Sequence, residues 1–343
     1  MTTYIIFKLI LVLVLFAVTL GVAMYATYGE RKVAAFLQDR IGPNRAGPFG
    51  LLQPIADGAK MFMKEEIIPN VSNKWLFILG PCIAITTALL TGAAIPWGNV
   101  ININGANYSV QVADLNIGIL YIFAVVSLGV YGIMIGGWAS NNKYSLLGAV
   151  RASSQMISYE LSMGLCIIAI VMMTGSASLN DMALQQNGSV WNIVPQAFGF
   201  ILFLTCALAE CNRAPFDLAE CETELIGGYH TEYSSMKLGF YLFAEYINMF
   251  ISAALISTLY FGGYDIPFVN DGDLSTNLAA TLQVITMLGK TFFFIFVFMW
   301  IRWTLPRFRY DQLMKLGWNY LLPLAILNLV WTAVYVMFIQ PLI

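Results

Sequence analysis

YIIFKLILVLVLFAVTLGVAMYATY, from Tyr4 to Tyr28, carries one charge, Lys8, in an otherwise apolar stretch. A helix needs about 20 mostly apolar residues to cross the hydrocarbon core of a bilayer, and this run exceeds that. Seven more such runs follow, near 75–97, 116–138, 153–174, 192–210, 238–262, 281–301 and 318–340. In lipid every backbone N–H and C=O must pair internally, and these runs are too long and too continuously apolar for barrel strands. The expectation is an all-α integral membrane protein with eight transmembrane helices in a single polytopic domain spanning 1–343. The first run lacks a small-residue cleavage motif and is expected to remain in the mature protein.

Composition agrees. Of the 343 residues 59% are hydrophobic and 10% charged, against about 25% charged in soluble domains. The net charge of −2 gives no basic excess to attract nucleic acid. Cys82, Cys166, Cys206, Cys211, Cys221 and the lone His230 form no CxxC pair or Cys/His cluster. Neither a disulfide framework nor a metal or iron-sulfur site is expected, and the thiols read as free and buried.

Fifteen of the seventeen Lys and Arg residues fall in alternate segments, 29–74, 139–152, 211–237 and 302–317; the intervening 98–115, 175–191 and 263–280 have none. The positive-inside rule places the basic segments on the cytoplasmic side, or its organellar equivalent, and both termini outside. In the first outer loop Ile101, Ile103, Tyr108, Val110 and Val112 alternate with polar residues around Asn104-Gly105, which predicts a small β-hairpin of structural role.

The inner segments carry the unusual residues. Gly42-Pro43, Gly47-Pro48 and Pro54 break the first into turns. Beyond them Pro54 to Glu65 sets Ile55, Ala59, Phe62 and Met63 on one face and Asp57, Lys60 and Lys64 on another, an amphipathic helix lying at the interface. Arg31, Arg40, Arg45, Asp57 and Lys60 exceed what an anchor needs. In AECNRAPFDLAECETELIGGYHTEY, Ala209 to Tyr233, six acids (Glu210, Asp217, Glu220, Glu222, Glu224 and Glu232) surround one Arg, Arg213. On a continuous helix Glu210, Arg213, Asp217, Glu220 and Glu224 would form one stripe, although Pro215 interrupts it.

Glu160 and Glu245 stand inside apolar runs, each costing at least about 2.5 kcal/mol unless it faces protein or water. With no basic residue near either in sequence, a proton relay is preferred to a structural pair; carboxyls withdrawn from water suit that work. Arg302, nearest its span, is a better functional candidate than Arg307 or Arg309, which positive-inside anchoring explains. His230 reads as a surface or packing residue.

Five strings, ERKVAAFLQDRIGPNRAGPFGLLQPIADGAK (30–60), RASSQMISYELSMG (151–164), Ala209 to Tyr233, FAEYINM (243–249) and RWTLPRFRYDQLM (302–314), closely resemble one family: the H subunit of bacterial NADH-quinone oxidoreductase and its mitochondrial counterpart, NADH dehydrogenase subunit 1 of complex I. The resemblance runs from about Glu30 to Trp318. It implies the eight-span heel of the membrane arm, with Arg31, Arg40, Gln53, Asp57, Lys60, Arg213, Phe216, Phe243 and Arg302 in or near the quinone chamber. It further implies a proton path through Glu160, Glu210, Asp217, Glu220, Glu222, Glu224 and Glu245. Cys211 replaces the family's usual Thr, and Cys221 a small residue, so a reactive thiol near the chamber stays open.

By the same resemblance the chain binds no redox cofactor itself. Quinone is the substrate, while iron-sulfur clusters, FMN and NADH belong to partner subunits: the peripheral-arm quinone-site and iron-sulfur subunits, beside small membrane subunits and lipid. The expected location is the bacterial inner membrane, with the mitochondrial inner membrane as the alternative. Two rival readings remain at this level: the related membrane subunit of an energy-converting hydrogenase-type complex, and a stand-alone secondary transporter. Against the transporter, no inverted repeat or pair of broken helices is evident.

Overall fold

The computed structural model describes residues 2–103, 105–188, 190–217, 226–267 and 275–339. In chain order these form α1 (Thr2–Leu37), α2 (Gln53–Met63), α3 (Lys74–Thr91), the antiparallel strands β1 (Val100–Ile103) and β2 (Ala106–Ser109), α4 (Gly118–Ala139), α5 (Lys143–Thr174), α6 (Leu179–Gln186), α7 (Ala197–Glu210), α8 (Ser235–Tyr260), α9 (Thr276–Thr304) and α10 (Tyr310–Phe338). Among the described residues seven helices, α1, α3, α4, α5, α8, α9 and α10, are long and apolar enough to cross a membrane. The protein is therefore an all-α multi-pass membrane protein. Its outer surface agrees: Leu9, Leu13, Phe293 and Trp331 are exposed on α1, α9 and α10, an apolar belt suited to lipid.

The fifth apolar run, 192–210, differs from a full span. Its helix α7 has 14 residues, about 21 Å at 1.5 Å per residue, and turns replace its first part. Irregular backbone within an apolar run is stable only when protein satisfies it. Here Ile193 N donates to Tyr260 O at 3.0 Å and Asn192 N to Gln186 Oε1 at 3.1 Å. Gln196 bridges to α10, donating to Thr332 Oγ1 at 2.6 Å and accepting from Asn328 Nδ2 at 3.0 Å.

Helix α8 lies at the centre, with Ile247, Phe250, Ala253, Ala254 and Ile256 buried against α1, α3, α7 and α9. Helices α3 and α4 approach at their backbones. A Cβ on Gly132 would lie 2.9 Å from Ala84 N, and one on Gly80 2.9 Å from Gly136 Cα, the small-residue packing that membrane helices use for close contact. Tyr241 of α8 fits beside this seam and donates to Gly132 O at 3.0 Å.

The basic segments meet at one end of the bundle. Asn142 Nδ2 donates to Glu232 Oε1 at 2.7 Å, Ser235 Oγ to Met61 O at 3.0 Å, Phe308 N to Pro215 O at 3.1 Å, and Lys237 pairs with Glu66. At the other end Lys8 donates to Gln111 O beside the hairpin, whose register pairs Ile101 with Tyr108 as the alternation predicts. Lys290 caps the turn after α8, donating to Phe261 O, Gly263 O and Asp265 O at 2.7, 3.0 and 2.8 Å. The expected hairpin turn residue Asn104 lies outside the described residues.

Helices extend further into the basic segments than hydropathy suggests. Helix α1 continues to Leu37, α5 begins at Lys143 and α9 ends at Thr304, so Glu30, Arg31, Arg151 and Arg302 are helical rather than loop residues. The amphipathic helix expected from Pro54 to Glu65 is α2, with Ile55, Phe62 and Met63 exposed along one flank.

Candidate functional site

Four helices and one turn bring charge together beneath the basic end. Helix α1 carries Glu30 and Arg31 just past its apolar run, and α2 carries Asp57. Helix α8 supplies the adjacent Glu245 and Tyr246, and the last turn of α9 supplies Arg302, where a cation also complements the helix dipole. Arg213 comes from the turn after α7. That helix stops because Asn212 takes a positive φ of 48° and a proline follows at 215, where a further helical turn would lose its hydrogen bond and clash. The single acidic stripe is thereby corrected: Glu210, Arg213 and Asp217 point into different surroundings.

Arg213 is the junction. Its guanidinium lies 3.3 Å from Glu30 Oε2 and 3.7 Å from Glu245 Oε2, and 4.0 Å from the centre of the Tyr246 ring. Tyr246 donates to Glu30 Oε2 at 2.7 Å, Tyr229 donates to Glu245 Oε1 at 3.2 Å, and Arg302 pairs with the other oxygen of Glu30. Buried charges persist only when paired and hydrogen-bonded in this way. No basic residue stands near Glu245 in sequence, and Arg213 reaches it from far along the chain.

Glu30, Arg31, Asp57, Arg213, Phe243, Tyr246 and Arg302 line a cavity of about 290 Å³ together with Met24, Met61 and Leu242. Met24 and Phe243 also line an apolar groove of about 400 Å³ on the flank between α1, α2, α3 and α8, which Phe16, Phe62 and Phe240 share. At the cavity rim Arg31 pairs with Asp57 at 2.7 Å, and Gln53 Nε2 donates to Asp57 Oδ1 at 3.0 Å.

Behind Arg213 a second cavity of about 30 Å³ is lined by Glu245, Glu210, Tyr229, Tyr241, Thr87 and Thr91, large and polar enough for one or two waters. Glu210 is buried there and lies within electrostatic range of Glu160 on α5, whose Oε1 is hydrogen-bonded to Ser127 on α4.

Other expected site residues lie elsewhere. Arg40 and Lys60 are exposed and line neither cavity. Phe216 is buried between Tyr159 and Phe308, its ring 5.4 and 5.6 Å from theirs. Asp217 pairs with Arg307 at 2.8 Å, which gives Arg307 a structural partner beyond anchoring. Glu220, Glu222, Glu224 and Cys221 lie outside the described residues. His230 closes a short turn with its ring edge-on to Tyr229. Cys82, Cys166, Cys206 and Cys211 are free. Burial pushes the Cys211 thiol up to about 12, which removes the thiolate a reactive cysteine needs.

Four participants were not singled out individually by residue type or spacing. Glu30 is the first charged residue after the opening apolar run, and Tyr246 adjoins Glu245 in FAEYINM, so both had a positional signal. Tyr229 and Ser127 had none.

Over residues 9–333 the sequence matches the NADH dehydrogenase family. The chain belongs to that family. One NADH-quinone oxidoreductase H subunit of Cytophaga hutchinsonii is 65% identical over 325 residues, covering 95% of each chain. The H subunit of the Flavobacterium johnsoniae oxidoreductase is 58% identical over 338 residues, covering 98% of this chain and 97% of the relative. That of Leptospira biflexa is 48% identical over 337 residues, covering 94% and 92%. Every residue lining the two cavities falls within the span shared with the NADH dehydrogenase family.

Proposed function

We propose that this chain is the membrane-embedded H subunit of a proton-translocating NADH-quinone oxidoreductase, forming part of the quinone chamber and linking quinone reduction to proton pumping. The observation that carries the reading is Arg213, which joins Glu30 of the larger cavity to Glu245 of the smaller one. The relatives' shared name favours this reading over a hydrogenase-type subunit or a transporter.

The apolar groove beside Met24 and Phe243 suits an isoprenoid tail, and the charged cavity suits the approach of a polar head group. Electrons come from iron-sulfur centres in partner subunits of the peripheral arm, which also hold FMN and bind NADH. Reduction of a quinone to quinol consumes two electrons and two protons, so the charge balance around Glu30, Arg31, Asp57, Arg213 and Arg302 changes with each turnover. Coupled carboxyls respond together to such a change. Arg213 passes it to Glu245, the small polar cavity to Glu210, and electrostatics to Glu160. Asp217, Glu220, Glu222 and Glu224 belong to the same acidic region in this reading; Arg40, Gln53, Lys60 and Phe216 flank the chamber. The basic end faces the cytoplasm of a bacterial cell, with both termini outside the inner membrane.

A photoreactive quinone supplied to the purified complex tests this. Labelling of α1, α2 or α8 residues around Met24, Phe62 and Phe243, in a preparation that contains NADH-oxidising and iron-sulfur subunits, is expected. Isolation of the chain alone with solute transport activity, or labelling confined to other subunits, contradicts it.

A further inference from the structure

Ser127 sits in the middle of α4 with two oxygens in reach. Its Oγ is 2.9 Å from Phe123 O, one turn back on the same helix, and it is hydrogen-bonded to Glu160 Oε1 on α5. A serine hydroxyl has one proton to donate and two lone pairs to accept with. In a linear hydrogen bond its proton serves one oxygen at a time, so the two contacts fit two protonation states of one pair. With Glu160 ionised, Ser127 donates to the carboxylate. With Glu160 protonated, the carboxyl O–H donates to Ser127 Oγ, and the serine proton turns to Phe123 O. Both states are satisfied without moving a heavy atom; only a hydroxyl rotates.

We propose that Ser127 is a positioning residue for proton transfer, a hydroxyl that holds Glu160 in one place through both its charged and neutral states. The inference rests on the reading of Glu160 as part of the proton path. A packing serine in a membrane helix is satisfied by the carbonyl one turn back. Here the same oxygen also faces an acid that an apolar run would otherwise exclude. Glu160 is half-buried between α4 and α5, with Glu210 of α7 within electrostatic range, so a fixed position preserves its distance from the next carboxyl as the proton comes and goes.

The test uses the whole complex in proteoliposomes with Ser127→Ala, Ser127→Thr, Glu160→Gln and the double variant Ser127→Ala/Glu160→Gln. The infrared carboxyl C=O band that Glu160→Gln removes should move in Ser127→Ala and stay in place in Ser127→Thr. Proton pumping per quinone reduced should fall at least about threefold in Ser127→Ala and be retained in Ser127→Thr, and Ser127→Ala should add no loss to Glu160→Gln. An unmoved band in Ser127→Ala, the absence of any band that depends on Glu160, or additive losses in the double variant would overturn the proposal. If Glu160→Gln pumps normally while its band still moves in Ser127→Ala, the pairing stands and the proton-path role of Glu160 is what fails.

Discussion

Replacing Arg213 by Gln removes the guanidinium at the junction and leaves its neighbours in place. Its side chain is 6% exposed, and the carboxylates of Glu30 and Glu245 that it contacts are 8% and 10% exposed. Breaking a buried pair by deleting one partner costs about 3–5 kcal/mol, because the abandoned charge stays out of water. Loss of the stacking on Tyr246 adds to this at about 1 kcal/mol or more. With an unfolding entropy of about 2.1 cal/mol/K per residue, a chain of 343 residues loses about 1.4 °C of thermal midpoint per kcal/mol, so this subunit should unfold about 6–8 °C lower in the purified complex and show strongly reduced quinone reduction. Arg213→Lys keeps the charge but cannot span two carboxylates and a ring, and should fall between. Asp57→Asn is the internal control: Arg31 and Asp57 are 50% and 36% exposed, and such pairs contribute about 0–1 kcal/mol. Thermal denaturation and NADH-driven quinone reduction on all three variants decide the matter. If Arg213→Gln is no less stable than Asp57→Asn, the buried junction is not what holds the cavities together.

Three further outcomes follow from the packing. Gly136→Ala drives a Cβ into Tyr241 Oη, an overlap costing about 1–3 kcal/mol; Tyr241→Phe in the same chain should recover part of the lost thermal midpoint. Lys290→Met strands the carbonyls of Phe261, Gly263 and Asp265 and should cost at least about 2 kcal/mol, measured as increased proteolysis of the 261–267 turn. Cys211, its thiol held up to about 12 from 9.0 by burial, should resist maleimide in the folded complex at pH 7 to 9 and react on denaturation. Because its folded pKa is raised, its neutral form contributes stability fully below pH 9, lost as pH rises toward 12.

Much of the fold was legible because a bilayer leaves few choices: apolar length sets spans, and the alternation of Lys and Arg separates the two ends. The break in the fifth run was not, since the buried amides that stabilise it, Gln186 and Gln196, find their partners on α8 and α10, far along the chain. The site divides similarly. Arg31, Asp57, Arg213 and Arg302 stood out as charges in a chain with few, whereas the pairing of Arg213 with Glu30 and Glu245 depends on three helices converging. The acidic stripe misled because helical periodicity was extended through Asn212 and Pro215, where the backbone turns. Ser127 was invisible because a serine in an apolar helix is usually satisfied by its own backbone.

The most direct test of coupling through buried carboxyls is proton pumping by Glu210→Gln in reconstituted complex, measured with quinone reduction in the same vesicles. The carboxyl between the two halves of the path is then neutral in every state. Assembly at the normal level with both quinone reduction and pumping impaired is the predicted result. Normal rates of both would contradict the account.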